Sequence, residues 1–504
     1  MLSAAAIWIC VACYILYLFG VAMYCRMRDR KQNAESMLKA KVSCLTLIMT
    51  YVASLMSVWI FFSGPGAYYR GGIGYWLSEM SYIATFPVVA HFTMRKIWQV
   101  NKLHGDRLVT PADFFDLRFQ SRLLRAVLAT IFFITSFPYI SSVLIAIGQA
   151  AQRSTGGAVS YAQAVLVVGF GMTVFVAIGG TKSTAAADTV QGIVFISLLW
   201  VIVGMTVYLG FDGSVAEPFK RIWETTPSFY SYPGPEGWMG YANRLGYPLS
   251  CAIGWTVMLP HVFVRAGYYG DTMESQRRLF YMAPVLQAVV WTGAMCLGIL
   301  ALAFSPDLTA GETELLIPFM IETVLQQENA RIAELLMLGF FLGTCAVGLS
   351  TANAFLSVST AILSHDFLKE LFRIRPSEKM QCRINRGIIG VIGVISTLLA
   401  LNPPELIYTL VMFAIALVMP LFPILLCTIY WKRATKEAAV AAAVVGTVLV
   451  LCTYLVWGLG DTWYGVFGLL GSTVTILLGS LLTPQDDRTG AYFFSLLNKI
   501  SEKE

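Results

Sequence analysis

The chain has 504 residues, 57% of them hydrophobic and only 13% charged, with a mean hydropathy of +0.68. Soluble domains carry about 25% charged residues, so this composition excludes a water-soluble globular protein and makes the lipid bilayer its solvent. The formal charge of +6 is spread through short loops, which excludes a nucleic-acid binder, and the ten cysteines read as small buried hydrophobes rather than a disulfide scaffold.

Taken in order, hydropathy and helix breakers predict about thirteen transmembrane helices, near 5–25, 42–63, 75–97, 122–151, 160–180, 185–210, 245–264, 280–304, 332–363, 385–402, 405–430, 438–457 and 463–482. A crossing needs ~20 apolar residues. The first segment lacks a basic leader and reads as a span, not a signal peptide. The second contains Thr50-Tyr51-Val52-Ala53-Ser54-Leu55-Met56-Ser57-Val58-Trp59 and ends in Ser63-Gly64-Pro65-Gly66. A helix that loosens in hydrocarbon exposes peptide groups costing several kcal/mol each unless something satisfies them. A weak helix at mid-depth therefore predicts a cavity where freed carbonyls hold an ion or ligand.

Glu79 falls near the outer end of the third span and is expected in a solvated vestibule; His91 is expected at the inner interface beside Arg95 and Lys96. Thr110-Pro111-Ala112-Asp113 predicts a Pro-initiated inner helix capped by Thr110. Asp188 lies inside the sixth span, a functional position by default, although its closeness to Lys182 leaves a wet interfacial carboxylate as the rival. Two long outer loops, Phe211–Asn243 and Ser305–Ala330, predict short surface helices, and the tail after Pro484 is too short for a domain.

The seventh span repeats the breaker pattern with Pro248, Gly254 and Pro260. The ninth carries Val347-Gly348-Leu349-Ser350-Thr351-Ala352-Asn353. One cation could take the Ser350 and Thr351 hydroxyls with the Val347 carbonyl, or the hydroxyls could simply bond back along their own helix.

An odd number of spans with the N-terminus outside and the C-terminus inside puts 29 of the 35 Lys and Arg on the inner face, as the positive-inside rule requires. Arg70, Arg153, Lys220, Arg221, Arg244 and Arg331 remain outside. Spans 2–6 and 7–11 form two groups of five starting on opposite sides, each opening with an interrupted helix, the pattern of an inverted repeat with its site at the interface. Gly179-Gly180-Thr181-Lys182-Ser183 lacks the glycine before lysine of a phosphate loop. The four histidines and ten cysteines show no metal-ligand spacing, and nothing argues for an enzyme.

The chain resembles the sodium/solute symporter family, which includes the proline, pantothenate and sodium/glucose carriers. The likeness rests on Ser63-Gly64-Pro65-Gly66-Ala67-Tyr68-Tyr69, Gly179-Gly180 followed by Asp188 and Gln191, and Pro260-His261-Val262-Phe263-Val264-Arg265. It continues through Leu349-Ser350-Thr351-Ala352-Asn353-Ala354, Pro403-Pro404-Glu405 and Tyr430-Trp431-Lys432-Arg433-Ala434. The resemblance implies an all-α LeuT-type fold of five-plus-five inverted repeats. It divides the chain into an extra first helix and basic loop (1–41), a first repeat (42–210), an outer loop (211–243) and a second repeat (244–430). Two peripheral helices (431–482) and a cytoplasmic tail (483–504) follow.

It also implies a Na+ site made by the carbonyls of Ala53, Met56 and Val347 and the hydroxyls of Ser350 and Thr351, with Asp188 serving a second ion or the inward exit. The expected solute pocket comprises Ser57, Trp59, Phe62, Tyr82, Trp255, Thr256, Met258 and Phe413. Leu55 stands where proline carriers have an acidic residue, and Ala252 and Thr256 replace that branch's aromatics. The likeness leans instead to pantothenate and monocarboxylate carriers. The expected activity is sodium-coupled symport of a small organic solute, a carboxylate, across a cell membrane, that of a bacterial inner membrane. An amino-acid or sugar carrier, a proton-coupled carrier and a transporter-like solute sensor are the alternatives.

Overall fold

In hydrocarbon every peptide group must be satisfied within the chain, and a helix does this segment by segment. The computed structural model accordingly shows an all-helical protein; it describes residues 2–28, 37–309, 311–403, 407–456, 463–485 and 490–501. Of the residues named above, Pro404 and Glu405 lie outside the described ones. Among the described residues nine helices are long and apolar enough to cross a membrane, or ten if the pair Gly246–Met258 and Pro260–Tyr269, bent by 54°, is one crossing.

Part of the distance from the thirteen expected spans has identifiable causes. The second expected span is two helices, Cys44–Met56 and Ser63–Gly71, joined by a short turn Val58–Ile60. The fifth and sixth run together as the 50-residue helix Tyr161–Gly210. A straight helix of that length would extend about 75 Å, more than twice the ~30 Å hydrocarbon core. Gly180 resolves the conflict: at φ 63 and ψ −169 it leaves the helical region and turns the chain, in a conformation essentially confined to glycine.

The helix Ala330–Ala361 lies at the centre, packed against Tyr161–Gly210, Arg122–Ser154 and the broken Cys44–Met56 helix. Gly348 permits a close approach, because a Cβ there would stand 2.9 Å from the side chains of both Val58 and Val143. The long loops hold short helices, Ala216–Thr225 and Gly237–Arg244 in one and Glu312–Leu315 and Leu316–Met320 in the other.

The short helix Pro111–Phe119 starts where Pro111 and Thr110 predict it. The Asp113 carboxylate accepts the Val109 and Thr110 N–H groups at 2.8 and 3.1 Å. In the tail after Pro484, the helix Ala491–Ser501 sets Phe493 against Phe114, ring centroids 5.4 Å apart, and Phe494 under the Arg118 guanidinium.

Candidate functional site

The Cys44–Met56 helix stops because Ser57 stands at φ 56, ψ 178. This region of backbone space is nearly closed to residues with a side chain, and such outliers cluster at functional sites. Beyond the break the carbonyls of the last turn lose their in-helix donors, and other elements supply replacements. The Trp255 indole donates to Leu55 O at 2.8 Å, and a ring nitrogen of His261 lies 3.1 Å from Ser54 O. Both partners come from the second interrupted segment, so the two breaks face each other.

Ala53 is served differently. Its carbonyl lies 2.9 Å from Ser350 Oγ, which is also 2.8 Å from Val347 O, while Thr351 Oγ1 is 3.2 Å from Val347 O. Ser350 thus makes both the back-bond of an ordinary membrane serine and a tie across to the broken helix. One hydroxyl hydrogen cannot serve two carbonyls at full strength. A cation among these oxygens would replace it as the electropositive partner and let the hydroxyls turn their lone pairs inward. Ala53, Val347, Ser350 and Thr351 are therefore together and fully buried; Met56 ends the same helix one turn beyond Ala53, also buried.

Asp188 is wholly buried, which overturns the wet-interface alternative. Its Oδ2 accepts from the Thr50 hydroxyl at 2.5 Å and from Arg265 Nη2 at 3.2 Å, and Arg265 Nε donates to Thr50 Oγ1 at 2.9 Å. Arg265, expected in the loop just beyond the seventh span, is instead 1% exposed and paired with a carboxylate. The signal was present: a carboxylate inside a span requires a partner, and Arg265 closes one of the quoted motifs. Thr50 precedes Ala53 by three residues, about 4.5 Å along the helix axis. Asp188 Oδ1 has no hydrogen-bond partner among the described residues.

Seven of the eight expected pocket residues are buried near the two breaks. Trp59 packs on Trp255 at 5.9 Å between centroids, and Phe62 on Phe340 at 5.7 Å. Tyr82 accepts the Trp291 N–H at 2.7 Å. Ser57 and Met258 are fully buried, and the Thr256 hydroxyl is committed to Ala252 O at 2.8 Å. Phe413 differs: half-buried, it packs on Tyr454 of the peripheral helix Lys436–Leu455, 4.8 Å away. Its helix, Ile407–Val418, presents a different face to the breaks: the ring it sends to Trp59 is Tyr408, at 5.0 Å. Glu79 is also corrected. It is fully buried, not in a wet vestibule, and accepts the Tyr247 O–H at 2.6 Å. His91 is exposed, its Nδ1 3.3 Å from Arg95 Nη1.

Interrupted apolar helices that turn carbonyls toward buried hydroxyls define a secondary carrier of the LeuT-type fold. The structure aligns with a Na+-coupled sialic acid symporter solved in a substrate-bound outward-open state (TM-score 0.78, 19% identity, 95% of this chain and 98% of that one). It also aligns with MhsT solved with L-phenylalanine (TM-score 0.52, 16% identity, 88% and 99%). By sequence, the sodium/pantothenate symporter of Escherichia coli (strain K12) is 28% identical over 461 residues, covering 89% of this chain and 90% of its own. The sodium/proline symporter of the same organism is 24% identical over 497 residues, covering 92% of each. The profile of the sodium:solute symporter family matches residues 39–446. The chain belongs to the sodium:solute symporter family. It is a multi-pass membrane carrier coupling Na+ to a solute, not an enzyme.

Proposed function

We propose that this carrier takes up a small organic carboxylate, of pantothenate or monocarboxylate type, across a bacterial inner membrane by alternating access. The observation that carries the sodium assignment is the tie from Ser350 Oγ to Ala53 O at 2.9 Å, which joins the broken helix to the hydroxyl-bearing one. Sodium entering from outside closes the carbonyls of Ala53, Met56 and Val347 around itself with Ser350 and Thr351. This holds the break in a shape that accepts solute against Ser57, Trp59, Phe62, Tyr82, Trp255, Thr256 and Met258. Occupation permits rocking to the inward form, and the ion leaves past Asp188. A membrane potential adds ~2.3 kcal/mol per charge per 100 mV to the driving force.

The topology proposed with this cycle has thirteen crossings, N-terminus outside and C-terminus inside. It counts Tyr161–Gly210 as two crossings divided at Gly180, and Cys44–Gly71 as one. Residues 42–210 and 244–430 form the inverted five-helix repeats. Supporting the orientation, Lys39, Arg107, Lys369 and Arg375 line a single cavity of about 440 Å³ on one face, where basic residues gather by the positive-inside rule.

An amino acid is the second reading, because a sodium/proline symporter of Escherichia coli and an osmoregulated proline transporter of Bacillus subtilis match at 24% and 25% identity. Leu55, Ala252 and Thr256 stand against it. Purified protein in vesicles with an imposed sodium gradient, offered labelled pantothenate, monocarboxylates, proline and sugars in turn, tests the proposal. Accumulation of a carboxylate, abolished when choline replaces sodium at fixed pH, is expected. Accumulation of proline alone selects the second reading, sodium-independent accumulation selects proton coupling, and binding without accumulation selects a sensor.

A further inference from the structure

On the face that collects the basic loops, a cleft of about 370 Å³ opens between the start of the helix Arg122–Ser154 and the end of Ile362–Leu371. Arg125, at its back, is spent: it holds Asp113 and Asp366 at 2.7 Å and Asp116 at 2.8 Å. Four other cations line the cleft, Arg122, Lys369, Arg373 and Arg375, all exposed and none ion-paired among the described residues. With Asp116 committed to Arg125, Glu370 is the acid left to oppose them. Arg122 lies in a first helical turn, where the helix dipole favours an anion rather than a cation. Arg373 takes φ +57 just past a helix end, a position that ordinarily selects glycine.

The positive-inside rule explains basic residues on this face, but not why four converge on one cleft. Nor does it explain their neighbours: Leu123, Phe372 and Ile374, each adjacent in sequence to one of these arginines, are 63%, 65% and 48% exposed. Apolar side chains standing among unpaired arginines suit the boundary between headgroups and acyl chains. We propose that this cleft is a binding site for the phosphate of an anionic phospholipid. Arg122, Lys369, Arg373 and Arg375 grip the headgroup, and Phe372, Ile374 and Leu123 lie against its acyl chains. The proposal uses no residue of the sodium or solute site and is independent of the solute's identity.

Thermal unfolding of the full chain in detergent, with phosphatidylglycerol, phosphatidylcholine or inorganic phosphate added, tests it. Phosphatidylglycerol should raise the midpoint by several degrees, while the zwitterionic lipid and free phosphate leave it unmoved. Arg373→Gln with Arg375→Gln should abolish that shift. Arg277→Gln with Arg278→Gln, which removes equal charge elsewhere on the same face, should retain it. Phe372→Ser with Ile374→Ser should reduce it. A single cooperative unfolding transition at the parent midpoint in detergent without added lipid shows that each variant is folded. Equal shifts from both lipids, a shift from phosphate alone, loss in the control pair, or an undiminished shift in the Arg373 and Arg375 variant would overturn the proposal.

Discussion

The short distances around Ser350 make a strong claim about two hydroxyls. If they hold an ion, removing both oxygens takes away direct ligands, not merely a helix–helix hydrogen bond of about 0.6 kcal/mol. Ser350→Ala with Thr351→Ala should raise the half-saturating sodium concentration at least ~10-fold, equivalent to about 1.4 kcal/mol, in vesicle uptake assays. Unchanged sodium dependence removes the assignment. Asp188 and Arg265 obey a different rule. Breaking a buried ion pair leaves an uncompensated charge and costs about 3–5 kcal/mol, whereas removing both partners is far milder. Asp188→Ala or Arg265→Ala alone should therefore lower the unfolding midpoint more than the double variant, in a double-variant cycle read by thermal denaturation. Additive losses would show that the two do not act as a pair.

Among the elements, the two off-helix residues have opposite logic. Gly180 occupies a conformation that a side chain resists, and a Cβ there would stand 3.1 Å from the Met37 Cα. Gly180→Ala should cost about 1–3 kcal/mol, seen as a lowered midpoint and reduced folded yield. Ser57 occupies a similar region without being glycine, at φ 56 and ψ 178. Ser57→Gly should leave the midpoint unchanged or raise it, while solute affinity falls if the hydroxyl faces the solute. An unaltered affinity would remove Ser57 from the pocket. Both residues were readable as breakers or hydroxyls, but their backbone angles were not, because those depend on what packs against the turn.

For the molecule as a whole, sodium and solute are linked through one set of helices. Whatever factor sodium adds to solute affinity, solute must add to sodium affinity. Isothermal titrations in either order should return the same factor, and unequal factors would mean that the two ligands do not meet in one equilibrium. Sodium at 100 times its dissociation constant should stabilise the folded state by about 2.7 kcal/mol, measured against choline at equal ionic strength.

Composition, the spacing of apolar segments and the breakers were enough to declare a helical membrane carrier, because hydrocarbon leaves a chain few ways to satisfy its backbone. The same logic pointed to an interruption within Ala53–Ser57, which falls at Ser57 while Ala53–Met56 stay helical, and to the hydroxyls at Ser350 and Thr351, since breakers and polar residues inside apolar spans announce themselves locally. Which helix faces met was decided only in three dimensions. Arg265 counted as a loop residue until Asp188 and Thr50 closed around it, Glu79 as wet until Tyr247 covered it, and Phe413 as a pocket ring until its helix turned Tyr408 to Trp59 instead. Rotation about a helix axis leaves hydropathy unchanged, so only packing between distant segments could set it.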